Sequence, residues 1–277
     1  MVPAPSPVCL DTCLVGRTRR FVYAYVPKAA CTSLKLWMAT VEGLVPPGST
    51  PQVRGGVHAL LKPRAALDSL PSHEAESILR SPDWFKFTFV RHPLARLVSA
   101  YLDKVVPAKA TAARLIRSYQ MHDPSAAWWQ RLLARVRIDA RRSLTFRQLV
   151  KQLACETPQE LDEHFRPQSL LVAGLPLDFV GRVERMEEDF AFVQRRLDTN
   201  VPLSHKKRQS YTVEAGDFVA DWPAEAFRTD APHPHWRRFY PPAVLAGAAQ
   251  IYRDDFARYG YRHQDESVPG WSHLRAA

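Results

Sequence analysis

The chain has only four cysteines and eleven glycines in 277 residues, and it has no apolar run of the ~20 residues a membrane helix needs. Each scarcity excludes something. Cys9, Cys13, Cys31 and Cys155 are too few and too scattered for a disulfide-stapled secreted scaffold. Cys9 and Cys13 lack a second Cys/His pair at ligand spacing, so no metal site is expected. Few glycines against 23 prolines argue against a glycine-rich β architecture and for stiff loops. The proline-bearing start of the chain has no signal-peptide character, so a cytoplasmic protein without a membrane partner is expected. Acidic residues are also outnumbered: 28 Asp and Glu face 38 Lys and Arg, a net charge of +10. Such a balance predicts an anionic ligand or partner.

What is present reads as alternating strands and helices. Phe21 to Val26 is a short aromatic and β-branched strand stopped by Pro27. From Thr32 the apolar residues Leu34, Trp37, Met38 and Val41 fall at helical intervals up to Gly43, and residues 44–57 read as loop. The plan recurs at Trp84 to Val90, a strand broken by Arg91-His92-Pro93 and followed by a helical stripe of Leu94, Leu97, Val98 and Tyr101. Residues 110–155 read as helical and basic, with Arg131, Arg135, Arg137, Arg141 and Arg142 concentrated together. Leu177 to Val180 predicts a further strand, Glu184 to Leu197 a helix, and Pro242 to Tyr259 a last helix. The class is therefore α/β with a parallel, helix-covered sheet. We expect a single domain over residues 21–262 with helical insertions, an N-terminal extension over 1–20 and a frayed tail over 263–277.

Two strand–loop–helix junctions carry chemistry. In Val26-Pro27-Lys28-Ala29-Ala30-Cys31-Thr32-Ser33 the loop opens directly into a helix, so backbone N–H groups and the positive helix end face an anion. Lys28 adds a cation; Thr32 and Ser33 add hydroxyls. The bland alternative is a solvated lysine beside an ordinary helix cap. A Walker A loop is excluded, because its glycines and Gly-Lys-Ser/Thr ending are missing. The second junction, Phe87 to Tyr101, puts Arg91 at a strand end and Ser99 two helical turns on.

Together these segments resemble the sulfotransferase superfamily, in particular its carbohydrate sulfotransferase branch. There, a Pro-Lys-x-x-(Cys/Ser)-Thr loop binds the 5′-phosphosulfate of 3′-phosphoadenosine 5′-phosphosulfate (PAPS), and a Val-Arg-x-Pro-x-x-Arg-Leu-Val-Ser-x-Tyr segment binds the 3′-phosphate. Asp162 to Gln168 and Asp178 to Glu184 are similar to further family stretches, as is the ending Tyr252 to Tyr261. The resemblance implies a P-loop-like, doubly wound parallel sheet and a metal-free PAPS-dependent enzyme. Lys28 would stabilise the leaving group, adenosine 3′,5′-bisphosphate. The amides of Ala29, Ala30, Cys31 and Thr32, with the Thr32 and Ser33 hydroxyls, would hold the phosphosulfate. Arg91 and Ser99 would hold the 3′-phosphate.

The general base is left between two histidines. His58, in Gly55-Gly56-Val57-His58, lies between the cofactor motifs, where the related uronyl 2-O-sulfotransferases carry a catalytic histidine; it is the first choice. His164 in the His-aromatic-x-Pro stretch is the alternative, and Glu184 is read as a structural residue. The expected acceptor is a saccharide or glycosylated small molecule, with no nucleic-acid partner. The alanine- and arginine-rich composition suggests a bacterial-type enzyme. The competing readings are a nucleotide kinase or NTPase of similar fold and a basic nucleic-acid-binding protein.

Overall fold

The computed structural model describes residues 10–123, 125–139, 143–204, 211–212 and 216–262. Two compact units, each discontinuous in sequence, make up the chain: residues 1–92 with 168–208, and residues 93–167 with 209–277.

The first unit holds the sheet. Its strands are β1 (Cys13–Gly16), β2 (Phe21–Ala24), β3 (Phe85–Val90) and β4 (Phe179–Arg182), side by side in that order. β2, β3 and β4 run parallel, while β1 pairs antiparallel with β2. The expected parallel sheet is thus present with an antiparallel edge. β1 lies inside the segment expected to be an extension, so that boundary is corrected: Cys-Leu-Val-Gly is apolar but too short to show a period. Cys13 is buried in this strand, and Cys9 lies outside the described residues.

Strand alternation sorts the side chains. Phe21, Tyr23, Phe85, Phe87 and Phe89 belong to one buried cluster, with Trp37 of α1 (Cys31–Val41) and Phe190 of α9 (Met186–Arg196). The Trp37 ring is 5.5 Å from Phe21 and 5.4 Å from Phe190, the latter edge-on. Such pairs contribute about 0.5–1.5 kcal/mol each beyond the area they bury. Between β2 and β3 lie α2 (Gly56–Ala65) and α3 (Ser72–Arg80); the sequence reading did not register the second. α8 (Gln168–Leu171) precedes β4.

The second unit is helical: α4 (Pro93–Ala100), widened into a π turn over Tyr101–Val105, then α5 (Ala113–His122), α6 (Trp128–Leu133), α7 (Phe146–Ala154), α10 (Pro242–Ile251) and α11 (Arg253–Tyr259). Its core is an aromatic cluster in which Phe146 stands edge-on to Tyr101, Phe239 and Tyr240. Two expected helices come apart. Residues 110–155 divide into three, with 137–139 non-helical and Arg141 and Arg142 outside the described residues. The last helix breaks at Tyr252, whose hydroxyl donates to the Phe165 carbonyl at 2.7 Å. A side chain fixed from outside its own helix leaves no signal in helical spacing. Among the described residues, no helix is long and apolar enough to cross a membrane.

Candidate active site

The loop between β2 and α1 departs from ordinary backbone geometry. Lys28 and Ala30 both sit in the left-handed region, at φ 70° and 58°. Neither is glycine, so the loop holds strain of order 1–3 kcal/mol per residue that the surrounding structure must sustain. Ala30 occupies the cap position of α1 and has no side chain that could cap it, and the first turn carries no acidic residue. No side chain of the first turn caps this helix start, whose amides and positive dipole end suit an anion. The Ala29 amide is different. It donates to the Val26 carbonyl at 3.2 Å within the loop, and Ala29 is buried. That amide is therefore already engaged inside the loop. Cys31 and Thr32 are half-buried, whereas Ser33 is buried.

His58 joins this loop. It is in the first turn of α2, which the chain enters through Gly55 and Gly56 at φ 90° and 62°. Val57 and Leu61, one helical turn apart, are buried and fix the helix, leaving His58 on the exposed side. Its Nε2 is 3.3 Å from the Thr32 hydroxyl and its Nδ1 is 3.1 Å from Lys35 Nζ. Lys35 is buried in an otherwise apolar stretch of α1, with its ammonium 3.1 Å from the centre of the Tyr25 ring. An ammonium only donates, so Nδ1 accepts, and a neutral ring then carries its hydrogen on Nε2, directed at Thr32. Sequence reasoning gave Lys35 no role. The available signal was a lysine one turn beyond Thr32 among Leu34, Leu36, Trp37 and Met38.

Arg91 directly follows β3, beside the same loop. Its Nη1 donates to the Lys28 carbonyl at 3.4 Å. Its backbone is clasped on both sides by Gln168, whose Oε1 accepts from the Arg91 N–H at 2.9 Å and whose Nε2 donates to the Arg91 carbonyl at 2.8 Å. The next amide, of His92, donates to Glu184 Oε1 at 2.7 Å. Glu184 is thus engaged with backbone at the strand end, consistent with a structural reading. Gln168 closes a stretch similar to the family's, but the sequence carries no sign of its clasp on Arg91.

The remaining candidates lie in the second unit. Ser99 is buried on α4. His164 Nδ1 is 2.7 Å from Asp162 Oδ1, an arrangement that leaves the Nε2 lone pair of a neutral ring available. Burial pushes the Asp162 carboxyl up, but the hydrogen bonds and charge of His164 outweigh it and hold the group below its ordinary value. Arg96 of the same motif is fully buried and donates to the Arg166 and Glu163 carbonyls, both at 2.8 Å, so it braces the His164 segment. Lys28, Thr32, His58 and Arg91 are therefore brought together in one unit; Ser99 and His164 belong to the other. Among the described residues no group of three or more His, Cys, Asp or Glu side chains could hold a metal ion.

The comparisons with known proteins agree with the family resemblance. The family model described as "Sulfotransferase family" matches residues 11–262. Carbohydrate sulfotransferase 14 of Danio rerio is 28% identical over 76% of this chain and 54% of its own length. The Homo sapiens protein of that name is 33% identical over 64% of this chain and 44% of its own. Carbohydrate sulfotransferase 11 of Rattus norvegicus is 27% identical over 97% and 71%. The chain thus spans about half the length of the first of these relatives. All three are animal proteins, and they lend no support to a bacterial-type origin. No solved structure matches significantly. With a match that begins before the first strand and runs through the last helix, the chain belongs to the sulfotransferase family.

Proposed function

We propose that this chain transfers a sulfuryl group from PAPS to a hydroxyl of a carbohydrate acceptor. One observation carries the reading: a strained, uncapped loop at the start of α1 whose Lys28 carbonyl accepts from Arg91 and whose Thr32 hydroxyl lies against His58. This cradle fits the donor. It combines helix-start amides, a hydroxyl and two cations, and two of its residues hold strained left-handed backbone, as loops that cradle a ligand often do. The relatives named carbohydrate sulfotransferases supply the acceptor class.

When bound, PAPS supplies the sulfuryl group and a bisphosphate leaving group. The chain's own part is positioning and charge. The amides from Ala30 onward and the Thr32 hydroxyl bind the phosphosulfate oxygens, and Lys28 neutralises charge on the leaving side. Arg91, its backbone locked by Gln168, offers its remaining guanidinium donors to the 3′-phosphate. Ser99 is assigned to the same phosphate by its motif. His58 can take the acceptor proton at Nε2 in the neutral tautomer that carries its hydrogen on Nδ1, which requires Lys35 to move off Nδ1. His164 remains the alternative, with its proton-accepting nitrogen already set by Asp162.

The test is direct: incubate the chain with sulfur-labelled PAPS and a panel of neutral and acidic saccharides, and identify products by mass spectrometry. A saccharide gaining one sulfo group is expected. Label transfer to nucleotides alone, or ATP consumption without PAPS turnover, would overturn the assignment. The kinase and nucleic-acid readings find no support in the family match.

A further inference from the structure

The segment around α6 turns its apolar side outward. Trp128, Trp129, Leu132, Leu133 and Val136 are between 50% and 79% exposed. Backbone hydrogen bonds continue the coil to Arg137, whose N–H donates to the Leu133 carbonyl at 3.0 Å. At 100° per residue, Trp128, Leu132, Val136, Trp129 and Leu133 fill one arc of about 140°. Ala134 lies opposite the middle of that arc and is buried. The helix is thus seated on its own unit by the side opposite its apolar face. Its start is held separately: Gln130 Oε1 accepts from the Ala127 N–H at 3.1 Å, and Asp123 Oδ1 accepts from the Ser125 N–H and hydroxyl at 3.0 and 2.6 Å. The exposure belongs to an anchored element, not to an unravelling end.

Charge flanks the arc on both sides. Arg131 and Arg135 fall along one border and Arg137 along the other, with no Asp or Glu between Asp123 and Asp139. Aliphatic Leu132, Leu133 and Val136 offer nothing to a sugar or a base, which would use flat aromatic faces and hydrogen bonds. They suit hydrocarbon. Tryptophans beside them suit the boundary between acyl chains and headgroups, and arginines at the rim suit anionic headgroups.

We propose that residues 128–137 form an interfacial anchor that docks the folded chain on an anionic lipid surface. The proposal runs against the expectation, drawn from the absence of a long apolar run, that the chain has no membrane partner: lying on a bilayer requires a face rather than a span. It is independent of the reaction the chain catalyses.

The experiment uses the full chain and two vesicle types, phosphatidylcholine alone and phosphatidylcholine with about a third phosphatidylserine. Co-sedimentation with the anionic vesicles is expected to exceed that with neutral ones by up to about a hundredfold at low salt, from three arginines at the surface. Salt should weaken it, and tryptophan emission should shift to shorter wavelength on binding. Trp128→Ala with Trp129→Ala, and separately Arg131→Gln with Arg135→Gln and Arg137→Gln, should each lower binding at least about tenfold with unchanged melting. Failure of anionic vesicles to capture the chain would overturn the proposal, as would capture that neither variant set weakens. Two specific results would assign the face elsewhere and also overturn it. One is self-association lost in the tryptophan variant without vesicle binding, which makes a second copy the occupant. The other is an acidic polysaccharide that shields these tryptophans from iodide quenching when vesicles do not.

Discussion

Three side chains of the β2–α1 junction would divide the work in the proposed reaction. Lys28 reaches from strained backbone, Thr32 offers a hydroxyl, and buried Lys35 holds the ring of His58. Lys28→Ala is expected to keep adenosine 3′,5′-bisphosphate binding within about tenfold while turnover falls by orders of magnitude, since its main partner is charge that develops during transfer. Equal losses in binding and turnover would make it a plain anchor. The Lys35–His58 contact yields a signed pH prediction. A cation at Nδ1 disfavours the imidazolium, so if His58 is the base, Lys35→Met should move the acidic limb of the rate profile to higher pH. His58→Ala should abolish that limb and cost roughly 10²–10⁴ in turnover. Loss of the limb in His164→Ala, with Lys35→Met leaving it in place, would transfer the role to the Asp162–His164 pair.

At the scale of elements, two strand glycines are fixed by phenylalanines. Gly181 on β4 pairs with Phe89 on β3, and Gly16 on β1 pairs with Phe21 on β2. A Cβ at Gly181 would lie 2.5 Å from the Phe89 ring, and one at Gly16 would lie 2.2 Å from the Phe21 ring. Both rings are buried and pack in the aromatic cluster, so neither turns aside cheaply. Gly181→Ala should therefore destabilise the chain by about 1–3 kcal/mol, read by denaturant unfolding. A smaller effect would mean that Phe89 has room to shift. The same elements show what the sequence revealed and what it hid. β2, β3 and β4 were legible because their apolar runs end at Pro27, Arg91 and Gly181. β1, four residues long, and α3, a polar helix with only Ala75 and Ile78 buried, had too little pattern to be seen. In the site, Lys28, Thr32, Arg91 and His58 were readable from motif order. The Gln168 clasp and the Lys35–His58 contact were not, because they join residues 77 and 23 positions apart and leave no local spacing.

For the whole molecule, a net charge of +10 suits the proposed donor, whose product keeps two phosphates. Any ligand bound by the native chain and not by the unfolded one raises the melting temperature by mass action, so adenosine 3′,5′-bisphosphate should do so. ATP lacks the 3′-phosphate and should do much less. Arg91→Ala separates recognition from architecture. Its side chain gives up one 3.4 Å bond to the Lys28 carbonyl, whereas the strand end remains clasped by Gln168 through backbone atoms alone. The unliganded variant should therefore melt close to the unaltered chain while the bisphosphate shift largely disappears, a loss of the size expected for a charge-assisted fork to phosphate. A variant that melts early even without ligand would make Arg91 a strut of the loop. An equal response to ATP and bisphosphate in the unaltered chain would remove the 3′-phosphate from the site, and the donor assignment with it.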